Sequence, residues 1–152
     1  MRQPTPTDTR NSVAYKPTLI AELKDDHRTL LKTFQDIRRA TADRNAEMIN
    51  HGLAAFKDGL AAHLLKEDLY FYSYTQARFT KQGDADSAET VHEFRKEMRR
   101  IAQAVKNFLS VYEGKVNAGN LGNFESDLGV VGEALGKRIG REETILYPLY
   151  QG

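Results

Sequence analysis

The chain has 152 residues, with 22 basic and 21 acidic side chains, a formal net charge of +1 and no cysteine. The lack of thiols excludes thiolate zinc sites, iron–sulfur clusters and cysteine nucleophiles, and the balanced charge argues against a nucleic-acid partner. No apolar run is long enough for a membrane span and the chain does not open with the apolar core of a secretion signal, so we expect a soluble, cytoplasmic, single-domain protein.

The first 16 residues are polar and rich in proline and threonine, which predicts a flexible arm (1–16) ahead of a folded domain (17–152). A first helix is predicted from about residue 18 to 43, because one set of residues recurs at spacings of three and four, as on one face of a helix. This stripe consists of Ile20, Leu23, His27, Leu30, Phe34 and Ile37.

A second helix is predicted over about 45–79, with the same periodicity and with His63 and Glu67 within its apolar stripe. After a break with glycine and N-capping residues, a third helix is predicted over about 87–112. A loop rich in glycine and asparagine separates it from a fourth helix over about 124–146. No strand pattern is present, so the sequence predicts an all-α, up-down-up-down four-helix bundle.

Three polar residues, His27, His63 and Glu67, lie at positions where the helix stripes require apolar side chains. Residues four apart share a helix face, and a buried carboxylate without a partner is costly, so Glu67 needs a cation or a protonated neighbour. Imidazoles and carboxylates from facing helices are the ligands of carboxylate-bridged iron or manganese sites in bundles. One such histidine alone is more commonly a hydrogen-bonded core residue, but three residues in register favour a metal site.

An internal repeat adds a second segment of the same kind. Residues 63–73 (HLLKEDLYFYS) align without gaps with residues 138–148 (RIGREETILYP), pairing Glu67 with Glu142 and His63 with Arg138.

These motifs, in this order, resemble the hemerythrin-like (HHE cation-binding) family over about residues 17–150. That family carries a histidine in helix one, His-x-x-x-Glu in helix two, a histidine in helix three and His-x-x-x-Glu-Glu-x-x-Leu-Tyr/Phe-Pro in helix four. Residues 23–27 (LKDDH), His63 with Glu67, and residues 142–148 (EETILYP) resemble the first, second and fourth of these elements.

The resemblance implies two non-haem irons bridged by Glu67 and Glu142, with His27 and His63 as the nitrogen ligands of one iron. It also implies a protein that binds or senses oxygen, nitric oxide or peroxide, or that stores or donates iron. A role in redox sensing would require a separate protein partner.

The departures from the family pattern fall on the second iron. Arg138 stands where helix four should supply a histidine, and a protonated guanidinium has no lone pair to offer a metal. We therefore expect a degraded second site, with Arg138 either turned out of the bundle or paired with Glu142. The helix-three candidate is His92, which lies off the apolar stripe and has a surface position as its alternative. The candidate ligands are His27, His63, Glu67, His92 and Glu142.

Two other functions stay open at this point. One is an enzyme with a carboxylate-bridged iron centre, an oxidase, a peroxidase or a repair factor for iron centres. The other is a metal-free bundle that acts as an interaction module. The aromatic run at residues 70–74 could supply a phenolate ligand or a radical relay, but such a run is more commonly packing at the end of a bundle, with tyrosine hydroxyls that reach water.

Overall fold

The computed structural model describes residues 13–152, and this part of the chain contains only helices, turns and short irregular segments. The long helices agree with the predicted ones to within a few residues at each end. They are α1 (Leu19–Ala42), α2 (Ala46–Lys66), a π-helical segment (Glu67–Tyr72), α3 (Ser73–Gln82), α4 (Ala85–Tyr112), α5 (Leu121–Arg141), a second π-helical segment (Glu142–Leu146) and a 3-10 turn (Tyr147–Leu149). Because α3 continues α2, the predicted four-helix bundle is confirmed.

Local sequence explains where the helices begin and end. The Asn45 side chain accepts a hydrogen bond from the amide of Met48 at the start of α2, and Asp84 does the same for Ser87 at the start of α4. Gly83 ends α3 with φ of +70°, a left-handed conformation that glycine adopts without a steric penalty. The short connections that result keep consecutive helices adjacent.

Each long helix packs beside its neighbours in the chain. α1 lies against α2 and α5, while α4 lies against α3 and α5, which closes the bundle. No helix in residues 13–152 combines the length and the apolar character needed to cross a membrane.

The apolar interior is divided into two clusters with a polar layer between them. Along α1, Leu23 belongs to one cluster and Leu30 to the other, and His27 lies between them. The same order holds on the other helices, and it places all the buried charged side chains at one level. These are His27, His63, Glu67, Arg138 and Glu142.

The predicted flexible arm falls mostly on residues 1–12, which lie outside the described part of the chain. Its last residues pack against the bundle. The ring of Tyr15 stacks on that of Tyr150 at 4.8 Å between centroids, and the amide of Lys16 donates to the Tyr150 hydroxyl at 2.7 Å. Tyr15 and Lys16 therefore contact the folded domain, and the boundary between arm and domain stays a prediction.

Candidate metal centre

Four of the predicted ligands converge in the polar layer. His27 comes from α1, His63 from α2, and Glu67 and Glu142 from the two π-helical segments. One donor atom of each residue lies within 4.8 Å of the others, and each side chain is at most 3% exposed. The bundle thus gathers two imidazoles and two carboxylates in a buried cluster.

The internal repeat has a structural counterpart in the two π-helical segments. Glu67 opens the first segment and Glu142 opens the second. A π-helical turn widens the helix by one residue, and such turns occur frequently at functional sites. The local widening therefore coincides with the point where each carboxylate enters the core.

Both histidines are held with their Nε2 atoms directed into the cluster. The Nδ1–H of His63 donates to Oδ2 of Asp26 at 2.9 Å, and the Nδ1–H of His27 donates to Oε2 of Glu143 at 2.7 Å. Metal-binding histidines commonly have this second partner, which fixes the tautomer and orients the ring. The arrangement directs Nε2 of each ring into the interior of the bundle, where His27 meets Glu142 and His63 has no partner among the described residues.

The inner atoms make an incomplete hydrogen-bond network. Oε1 of Glu142 lies 2.9 Å from Nε2 of His27, and the Tyr147 hydroxyl donates to Oε2 of Glu67 at 2.7 Å. Nε2 of His63 and Oε1 of Glu67 are buried and have no hydrogen-bond partner among the described residues. Buried polar atoms are nearly always satisfied, and both atoms belong to side chains that bind metals. The donor set fits a metal ion.

The two carboxylates differ in charge. Burial raises the pKa of Glu67 well above its ordinary value, and the neighbouring Glu142 carboxylate raises it further. Burial would also raise the pKa of Glu142, but the hydrogen bond with His27 and the charge of Arg138 outweigh it and lower that pKa. Glu142 is therefore the ionised member of the pair, whereas Glu67 needs a further cation before it ionises readily.

The two imidazoles differ as well. Burial would lower the pKa of His27, but hydrogen bonds to Glu142 and Glu143 outweigh it, so the pKa is raised. Burial lowers the pKa of His63, and the hydrogen bond to Asp26 opposes it only in part. His63 therefore presents the neutral imidazole that metal binding requires.

Arg138 remains inside the bundle and is only 2% exposed. Its Nε donates to Oε2 of Glu142 at 3.1 Å, and its two terminal nitrogens donate to Glu97 at 3.2 Å and to the Tyr72 hydroxyl at 3.0 Å. The guanidinium also lies over the ring of Phe94, 4.8 Å from its centroid. Of the outcomes foreseen for Arg138, pairing with Glu142 is the one found, and Glu142 faces His27 with one oxygen and Arg138 with the other.

The structure does not bring His92 to the cluster. Its side chain is exposed, because it follows the buried Val91 directly and so points about 100° away from the α4 stripe. At the level of the cluster, α4 instead contributes Glu97, which binds Arg138, and Met98, which is buried. α4, which is the third helix of the bundle, thus supplies no imidazole to the polar layer.

A small apolar cavity adjoins the cluster. Its volume is about 40 Å³, and apolar side chains from all four long helices contribute to its wall alongside His27, His63, Glu67, Arg138 and Glu142. The apolar lining includes Leu30, Phe34, Phe56, Leu60, Met98 and Leu135.

Several residues of the site were not singled out from sequence. Asp26 and Glu143 lie inside the quoted motifs, each beside a candidate ligand, but neither motif shows that its carboxylate binds a histidine. The interpretation of the aromatic run was wrong for Tyr72, whose hydroxyl is buried against Arg138 and does not reach water. Glu97 lies in a charged stretch at residues 95–100 (RKEMRR), a composition typical of a solvated helix face.

Comparisons with known proteins agree with this geometry. The family model of the hemerythrin HHE cation-binding domain matches residues 18–150, nearly the whole described chain. Searches of the curated proteins and of the solved structures found no match. Since the family model covers well over half of the sequence, the chain belongs to the hemerythrin HHE cation-binding domain family.

Proposed function

We propose that this protein binds one non-haem iron through His27, His63, Glu67 and Glu142, and that the iron binds or senses oxygen or a related small oxidant such as nitric oxide or peroxide. One observation carries the proposal. Nε2 of His63 and Oε1 of Glu67 are buried without partners, beside two further donor atoms of the same kinds. A bound cation would satisfy both.

The mixture of ligands favours iron. Imidazole suits iron, copper, nickel and zinc, carboxylate suits harder ions, and mixed sets of both in helix bundles hold iron or manganese. Bound iron would supply reversible redox chemistry and a coordination position for a small ligand.

The cavity supports a small ligand rather than an organic substrate. Its volume of about 40 Å³ exceeds the 10–15 Å³ that one water molecule requires. It falls far below the ~300 Å³ or more of typical small-molecule pockets. A diatomic molecule or peroxide fits this space, and apolar walls favour the less polar of these ligands.

Arg138 supports one ion rather than two. It occupies the side of Glu142 that faces away from His27, where a second ion would share the carboxylate. Because the guanidinium carries a fixed positive charge and no lone pair, it takes the place of a cation at that oxygen.

Metal analysis of protein purified without oxygen tests the proposal. We expect one iron per chain, and a chelator should lower the melting temperature because an ion that binds only the folded state stabilises it. Protein that takes up no added ferrous iron, with a melting temperature insensitive to chelators, would contradict the proposal and favour the metal-free interaction module.

His63→Ala tests the ligand set directly. This variant should lose iron and melting temperature together, because it removes an inward nitrogen ligand. His51→Ala is the matched control, since His51 lies on the same helix but is exposed. Sustained turnover of peroxide with an added reductant would instead favour the enzymatic alternative.

A further inference from the structure

The hydroxyl of Tyr147 lies among the donor atoms of the cluster. It is 2.7 Å from Oε2 of Glu67, 3.1 Å from Nε2 of His27 and 3.4 Å from Oε1 of Glu142. Three of the four proposed ligands therefore surround this single oxygen.

These separations are those of ligands that share one ion. Metal bonds of about 2.1 Å place neighbouring ligand atoms about 3.0 Å apart at right angles and about 3.4 Å apart at tetrahedral angles. Nε2 of His27 and Oε1 of Glu142 are themselves 2.9 Å apart. The Tyr147 oxygen is thus closer to three of the proposed ligands than 4.8 Å, the distance within which the four donor atoms lie of each other.

Packing holds the Tyr147 side chain in this position. The residue is 2% exposed, and its ring stacks on that of His27 with centroids 5.5 Å apart and planes inclined by 14°. The ring of Phe71 packs against it as well, at 5.6 Å. The hydroxyl cannot turn to solvent without opening the core, so it faces any ion that the cluster binds.

We propose that Tyr147 is a fifth protein ligand of the metal, bound through its phenolate oxygen. The inference rests on the proposed function, because it requires that His27, His63, Glu67 and Glu142 hold an ion. When the ion binds, the phenol proton of Tyr147 and the carboxyl proton of Glu67 both leave to solvent, and the ion replaces the hydrogen bond between the two side chains. A bound cation favours this loss, since metal coordination lowers the pKa of its ligands.

The spectrum of the ferric protein tests this inference. A phenolate bound to ferric iron absorbs visible light through charge transfer from the ring, and excitation in that band enhances tyrosine ring vibrations in the resonance Raman spectrum. We expect both signals in protein loaded with ferrous iron without oxygen and then oxidised. In Tyr147→Phe the band and the ring vibrations should vanish when both are read per bound iron.

Tyr112→Phe is the matched control. Tyr112 is also buried, but it belongs to the other apolar cluster, and its hydroxyl binds Asp127. This variant should keep the visible band unchanged.

The outcomes separate this inference from the proposed function. The proposal that Tyr147 is a ligand is overturned if the iron-loaded parent lacks the band, or if the band persists in Tyr147→Phe. Either result leaves the proposed iron site itself standing. A parent that binds no iron overturns the proposed function itself. If Tyr147→Phe does not fold, the parent labelled with ring-deuterated tyrosine decides whether a tyrosine is bound, and among the described residues only the Tyr147 hydroxyl contacts the proposed ligands.

Discussion

Replacing Arg138 by histidine should raise the iron content from one towards two per chain. A second ion would have to share Oε2 of Glu142, which Arg138 binds at 3.1 Å, so the ion and the guanidinium would lie about 4–5 Å apart. At an effective dielectric near 20, a divalent ion and a unit charge at that distance repel each other by about 7 kcal/mol. This energy corresponds to roughly five orders of magnitude in affinity.

The Arg138→His variant removes that repulsion and offers a nitrogen ligand at the same place. It also removes one of the two arginines that donate to Glu97, which accepts from Arg138 at 3.2 Å and from Arg141 as well. The Glu97 carboxylate then faces the cluster from α4 with Arg141 as its remaining partner.

Iron content by elemental analysis, read beside the visible spectrum, checks this prediction. Arg141→His is the control, because Arg141 binds the same Glu97 oxygen from a half-exposed position outside the cluster. A parent that already holds two irons would refute the reasoning, since a second cation would then coexist with the guanidinium. An Arg138→His variant that still holds one iron would show that charge is not what excludes the second ion.

Two further predictions concern a ligand and a helix contact. His27→Ala should lose most of the bound iron, whereas His92→Ala should keep its iron content because His92 is exposed. Equal losses of iron in the two variants would contradict the assignment of His27 as a ligand. Gly132→Ala should destabilise the protein by about 1–3 kcal/mol in urea denaturation, since its Cβ would lie 2.5 Å from the Phe34 ring. Gly136→Ala meets nothing within 4 Å, so it should stabilise the helix by about 0.5–1 kcal/mol, and a loss there would refute the packing argument.

The fold could be predicted from the sequence because the apolar stripes are nearly complete on every helix. His27 and His63 were recognisable for the same reason, since each interrupts a stripe whose neighbours one turn away, such as Leu30 and Leu60, are buried. A polar residue in a strict apolar pattern is a strong signal, because its burial requires a compensating partner.

The surroundings of the site were harder to predict from the sequence, because they depend on contacts between helices. The periodicity of α5 predicts a buried position for Arg138. It cannot show that Glu97 and Tyr72, on other helical segments, accept hydrogen bonds from its guanidinium. The π-helical turns were also hidden, since regular 3.6-residue periodicity cannot indicate where a helix widens. Tyr147 follows Glu142 by five residues, so a regular helix would have placed its hydroxyl away from the carboxylate.

Arg138, which departs from the family's motif, and Tyr147, which agrees with it, would be electrostatically complementary if the site holds the proposed ion. A divalent ion bound by two carboxylates and a phenolate would leave a net negative charge in the low-dielectric core, and buried charge without compensation is costly. The buried guanidinium of Arg138, tied to Glu142, supplies the missing positive charge. With neutral imidazoles at His27 and His63, the ferrous site is then neutral without a second ion. On the proposed function, the arginine that takes the place of a second ion would thus provide the charge that allows a phenolate at the first.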